Sequence, residues 1–424
     1  MTKKKIICLF DYKANTGYGT VSSNLLPIIK AQFGDKIHLD IVAINYFGKD
    51  QKGVHDFKFN EDANTTVYSA KLYDANKRSI PTDDFGRDLF CKLCLQNDYS
   101  GMFIMQDIGV VSAMMPLLKE VYQKKIAPKS IFYFPIDADI YPKELYNGLD
   151  WFDVLITYTN WGKDVVLKSK PNFEGKLLVI PHGVNLQQFN KVDESQREHF
   201  REKYFGRKVR DKFIFGNINR NQPRKDIATT ILAFEIAKTK IEQESGLSNI
   251  FLYLHMNPTD PLGNDLRFLL KQTNLVEGED YMFPKKEYEP HLCSVENLNL
   301  IYSSLDFFVT TALGGGWELT TYEALATCKR VITPNHTCFT HLHDLGIVIK
   351  AAENEIGYEK IVNADNVIRH KVRTQELANT IYFYQKEKVL VPNEDKIAEY
   401  LKSISWDSIG KKFCNLFKKH YKLD

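Results

Sequence analysis

The stretch Leu313-Gly-Gly-Gly-Trp-Glu-Leu-Thr-Thr-Tyr-Glu-Ala-Leu-Ala-Thr-Cys-Lys-Arg-Val-Ile332 changes periodicity partway along. Just ahead of it, Leu305-Asp-Phe-Phe-Val-Thr310 is a β-rich apolar run, which predicts a buried strand. Gly314, Gly315 and Gly316 lack a Cβ, so the backbone there can turn sharply and bring its N–H groups close to a ligand. After Trp317 and Glu318, Leu319, Tyr322, Leu325 and Ala326 fall at helical spacing, with Thr320 or Thr321 as N-cap. Strand, glycine loop and helix N-terminus together make an anion site, because unpaired N–H groups and the helix dipole converge there. An ordinary glycine turn is the plainer reading of the same spacing. Val331-Ile332-Thr333-Pro334 then reads as the next strand.

The same order opens the chain. Ile6–Phe10 reads as a strand, Gly17, Gly19 and Thr20 form a glycine loop, and a helix follows through Val21, Leu25, Leu26 and Ile29. Further apolar runs at 37–43, 103–105, 131–134, 154–157, 177–180, 213–216 and 250–254 alternate with helical or irregular stretches. That alternation predicts α/β architecture with doubly wound parallel sheets, whose ligands bind beyond the carboxyl ends of the strands. Gln106-Asp107, Asp137 and Asp139 lie at such ends, each also readable as a helix cap or loop carboxylate. Between 191 and 212 acidic and basic residues interleave as on a solvated face, which predicts a linker between domains at 1–190 and 213–395. The aromatic, basic end at 396–424 reads as an amphipathic helix pair.

With 424 residues, the chain is long enough for two cores. Its 56 basic and 53 acidic residues leave a charge of +3, which gives no support for nucleic-acid binding as a main function. No run approaches the length of a membrane span, so at most peripheral membrane contact is expected. Seven scattered cysteines predict a reducing, cytoplasmic setting, and the lone Cys91-x-x-Cys94 reads as two buried thiols.

The 313–332 stretch resembles the C-terminal pattern of retaining GT-B glycosyltransferases of the group-1 (family 4) type, Glu-Gly-Phe-Gly-Leu-x-x-x-Glu-Ala-Met-Ala-x-Gly-x-Pro-Val. Aligned on Glu323-Ala324-Leu325-Ala326, the second family glutamate is Glu323, the first falls on Gly315, and Glu318 stands where glycine is usual. His182-Gly183-Val184-Asn185 resembles the family's segment at the end of the first domain. Arg220 and Lys225 keep the family's spacing of arginine and lysine, with Arg224 as an alternative partner and Asp226 in place of glycine.

The resemblance implies two Rossmann-like domains facing a cleft, with the helices at 396–424 packing back on the first. It implies transfer of a sugar from a nucleoside diphosphate sugar to a hydroxyl acceptor on a carbohydrate or glycoconjugate, with retention and with neither metal nor cofactor. Arg220 and Lys225 would hold the diphosphate, whose negative charge grows as the glycosidic bond breaks. Glu323 would accept from the ribose hydroxyls. Gly314, Gly315, Gly316, Trp317, Glu318, Leu319 and Thr320 would contact the donor, together with Gly17 and Gly19. Asp137 or Asp139 would face the acceptor. Rival readings are an epimerase or phosphorylase on the same architecture, and a GT-B protein that binds sugar without catalysis.

Overall fold

Most strands of the two large sheets are continuous apolar runs rather than alternating ones, as parallel sheets covered on both faces require. In the computed structural model, which describes residues 3–46, 58–71, 83–124, 127–327, 330–362, 367–386 and 393–423, Ile6 to Leu9 are wholly buried. They lie in β1 (Lys4–Asp11), followed by β2 (Ile37–Ile44), β3 (Lys58–Asp62), β4 (Thr65–Ser69), β5 (Gly101–Met105), β6 (Lys129–Tyr133), β7 (Val154–Thr157) and β8 (Leu177–Val179). These strands form one sheet in the order β3-β4-β2-β1-β5-β6-β7-β8. Every pairing in it is parallel except β3 with β4.

The second sheet takes β9 (Phe213–Asn217), β10 (Ile250–Leu254), β11 (Tyr281–Met282), β12 (Phe307–Val309), β13 (Arg330–Thr333) and β14 (Ile349–Lys350). Its order is β11-β10-β9-β12-β13-β14, parallel throughout. A short antiparallel hairpin, β15 (Tyr358–Val362) with β16 (Ile368–Val372), completes the strands. Two of the sequence-read strands, 154–157 and 250–254, keep their boundaries in β7 and β10.

The chain divides into two compact units: Met1–Ile136, Tyr141–Gly183 and Trp406–Asp424 in the first, and Asp137–Ile140 with Val184–Ser405 in the second. In the first unit, helix Gly17–Phe33 follows β1, and the C-terminal helix Trp406–Tyr421 belongs to the same core. Phe413 packs on Phe103 and Tyr133, and the Tyr421 hydroxyl donates to the Met102 carbonyl at 2.7 Å. Helix Glu394–Ser403, read from sequence as its companion, falls in the second unit.

The charged stretch expected to be a linker is structured too. Helix Glu194–Phe205 starts at Asp193, whose side chain accepts from Gln196 N at 2.8 Å. Its Arg197 and Arg201 each reach Asp306 at 3.0 Å. Asp306 Oδ2 also accepts the N–H of Ile214 on β9 at 2.8 Å. The interleaved charges therefore anchor a helix to the second sheet, and Arg201 is buried.

His182 is buried, and the hydroxyl of Tyr133 lies 2.6 Å from its Nδ1, while burial pushes its pKa down to about 3. The next residue, Gly183, is backed by the Trp406 ring, and a Cβ there would sit 2.4 Å from a ring carbon. Cys91 and Cys94 are buried on helix Arg87–Gln96, and burial pushes the Cys91 thiol up to about 12. Among the described residues no helix is long and apolar enough to cross a membrane. Gly183→Ala should cost about 1–3 kcal/mol through overpacking against Trp406, read as a lowered midpoint in urea unfolding. An unchanged midpoint would show that the ring yields without penalty.

Candidate active site

In the second unit the loops at the carboxyl ends of β9 and β12 meet. β9 runs into Ile218–Gln222 and then a tight turn, Pro223–Lys225, before helix Ile227–Ser245. The turn is closed by Asp226 at φ +46°, in the left-handed region. Glycine holds that conformation at no steric cost, whereas here the short polar side chain supports it. Thr229 Oγ1 donates to Asp226 Oδ2 at 2.6 Å. The loop after β12 is stitched to this turn: Thr311 Oγ1 donates to the Asp226 carbonyl at 2.8 Å, and Leu313 N donates to the Arg224 carbonyl at 2.8 Å.

Those bonds bring Arg224 and Lys225 onto the glycine loop. Arg224 Nη1 donates to Glu318 Oε1 at 2.9 Å and to the Gly314 carbonyl. Lys225 Nζ donates to Glu318 Oε2. The Glu318 side chain is 4% exposed and that of Lys225 is 11% exposed. Burial opposes ionisation of Glu318, but the Lys225 and Arg224 cations outweigh it and hold the carboxyl below the usual glutamate range. At Lys225 burial is the larger effect, so the ammonium lies below the usual lysine range although Glu318 pulls the other way.

Asp137, in the short segment that joins this unit, lies with its Oδ2 3.8 Å from Arg224 Nε and 3.1 Å from Arg369 Nη1. The neighbouring Asp139 binds His370 Nε2 at 2.8 Å. Both aspartates, expected to face an acceptor, thus lie against basic side chains of the second unit.

Helix Leu319–Ala326 begins at Glu318, not at Thr320 or Thr321. Glu318 has φ +63° and makes no capping bond, because its carboxylate is held by the two cations. Thr320 Oγ1 instead donates to Asn219 Oδ1 at 3.3 Å, tying the first turn to the β9 loop. Trp317 is buried with its ring stacked on Tyr322, centroids 4.2 Å apart, so the indole packs inside the unit. Leu319 and Gly316 are partly exposed beside it, while Gly314 and Gly315 are buried.

Arg220 stands apart from the cluster. Its guanidinium makes two hydrogen bonds to Asp260, at 2.7 and 3.2 Å, and its side chain is 55% exposed. The arginine beside Lys225 in space is Arg224. Glu323, on the second turn of its helix, accepts from the Tyr302 hydroxyl at 2.8 Å, and burial pushes its carboxyl up to about 7 against that bond. Tyr302, Arg369, Asn219 and Thr311 were not legible in sequence as site residues; they reach the site from separate elements.

Gly17 and Gly19 lie in the first unit, at the start of helix Gly17–Phe33. Thr16 caps it, accepting from Gly19 N at 2.9 Å. A Cβ on Gly19 would fall 2.0 Å from the Ala14 carbonyl oxygen, so glycine is required there by close backbone approach. Asp11 is buried beside this loop, and burial raises its carboxyl. Asp107 accepts from the Tyr18 hydroxyl at 2.8 Å.

The sequence matches no protein-family model and no curated protein. Solved structures do match over the whole chain. Anabaena HepE, solved in complex with UDP and glucose, shares 12% identity at a TM-score of 0.63, covering 98% of this chain and 100% of that one. Sucrose-phosphate synthase from Thermosynechococcus elongatus shares 13% at 0.68, covering 100% of both. An E. coli trehalose-6-phosphate protein bound with UDP-2-fluoro glucose shares 13% at 0.65, covering 98% and 99%. At such identities the likeness shows the fold, which is GT-B: two Rossmann-like units built on parallel sheets.

The raised carboxyl of Glu323 fixes the sign of a pH effect. A group whose pKa is higher folded than unfolded contributes stability that is full below its unfolded value and lost as pH rises through about 7. Relative to Glu323→Gln, the wild type should therefore lose stability between pH 5 and 8, in parallel chemical unfolding series. Parallel curves for the two proteins would place the Glu323 pKa in the ordinary range.

Proposed function

We propose that this chain is a glycosyltransferase that moves a sugar from a nucleoside diphosphate sugar to a hydroxyl of a carbohydrate or glycoconjugate acceptor. The observation that carries the reading is the pair Arg224 and Lys225 held at the carboxyl end of β9, against the Gly314–Gly316 loop and the start of a helix. A guanidinium fork and a point ammonium complement a diphosphate without a metal, and their attraction strengthens as the leaving group gains charge. In the transfer the bond between sugar carbon and diphosphate oxygen breaks, and the diphosphate keeps the electron pair. The acceptor oxygen bonds to the same carbon, and its proton is released. Retention at that carbon and independence of metal belong to this proposal. So does Glu323 as acceptor of the ribose hydroxyls, with Tyr302 steadying it. The UDP and glucose held by the Anabaena structure support a uridine donor.

A sugar-binding protein without catalysis is the second reading, favoured by one observation: Glu318 already neutralises the cation pair. Transfer or slow hydrolysis of UDP-glucose separates the two.

Lys225→Ala and Arg224→Ala should each weaken UDP binding by about 1.5–3 kcal/mol, the range for hydrogen bonds to charged groups. Arg220→Ala should change it little, since that side chain is engaged by Asp260. Titration calorimetry decides: undiminished affinity in the first two variants, or a large loss in the third, would relocate the phosphate site.

A further inference from the structure

The carboxylate of Glu318 is bonded on both oxygens by the cations a diphosphate would need. Oε1 accepts from Arg224 at 2.9 Å and Oε2 from Lys225, in a side chain 4% exposed. Carboxylate and phosphate present similar oxygen pairs to a guanidinium, so one can stand in for the other.

Two features show that this contact is built into the loop. Residue 318 holds φ +63°, a conformation that costs a residue with a Cβ on the order of 1–2 kcal/mol. The room for its carboxylate is made by Gly315, where a Cβ would lie 2.4 Å from Glu318 Oε1 and 2.6 Å from its Cγ. A side chain at 315 and the present placement of Glu318 exclude one another. Asp137 approaches the same guanidinium from another side, at 3.8 Å.

We propose that Glu318 is an internal substitute for the donor's diphosphate: it neutralises Arg224 and Lys225 until the phosphates arrive, and is displaced from them on binding. The proposal rests on the reading that this pair holds the diphosphate. Donor affinity is then an exchange of one anion for another. The site avoids leaving two partly buried cations uncompensated beforehand, and it discriminates against anions too weak to displace a buried carboxylate.

The test is calorimetric titration of inorganic pyrophosphate, UDP, UMP and uridine into wild type, Glu318→Gln and Glu318→Gly. Glutamine keeps the shape, and glycine suits the left-handed backbone, so at least one variant should fold as the wild type does. Expected is a gain of about tenfold or more for pyrophosphate and UDP, a smaller gain for UMP and none for uridine. Unchanged or weaker pyrophosphate and UDP binding in the folded variants would overturn the proposal, and so would an equal gain for uridine, which would mark a merely loosened loop. Wild-type transfer from UDP-glucose without the pyrophosphate gain sinks this inference alone. The gain without any transfer or donor binding sinks the proposed function alone.

Discussion

A carboxylate taken out of water has to be matched by positive charge, and at Glu318 the match comes from a loop more than ninety residues earlier. That requirement fastens the turn before helix Ile227–Ser245 to the glycine loop before helix Leu319–Ala326. The other contacts there follow suit. Thr311 and Leu313 bind the backbone of the same turn, and Thr320 reaches back to Asn219. Asp226 must turn left-handed so that Lys225 points at Glu318 while the helix starts behind it. Two residues with positive φ and a glycine with no room for a Cβ are local costs, and a shared network of charge offsets them.

The fold was legible because its strands are unbroken apolar runs, and such a run reads the same in isolation as in the sheet. The edge strand β3 was not. β3 carries Lys58, Asn60, Glu61 and Asp62 and takes its place by pairing with β4, which no local pattern announces. The 191–212 stretch looked like a linker because its charges resemble a solvated face; Asp306, far off in sequence, turns two of its arginines inward.

Of the candidate site, placement was legible where residue type and local spacing decide it: Lys225, the glycine loop and Glu323 do fall at a strand end, a loop and a helix of the second unit. It was not legible where a distant partner decides a side chain's direction. Arg220 fits the spacing, yet Asp260 takes it and leaves Arg224 at the cluster. Trp317 sits after the glycines as a ligand-facing aromatic would, but Tyr322 offers its ring a stacking partner inside the unit. The cap moved from threonine to Glu318 because a left-handed residue ended the loop earlier than capping propensity suggested.

The second unit is not one run of chain. It includes Asp137–Ile140, and Arg369, whose side chain is 4% exposed, binds both the carboxylate and the carbonyl of Asp137, at 3.1 and 2.8 Å. A fragment cut at Val184 and Ser405 would take both of those acceptors away from a buried guanidinium, which is destabilising. Recombination between relatives meets the same barrier. A chimera that exchanges 184–405 inherits one parent's Arg369 and the other's residue at 137, so a crossover that looks clean along the sequence divides an ion pair in space. Second units of this kind can be shuffled only with their four-residue graft.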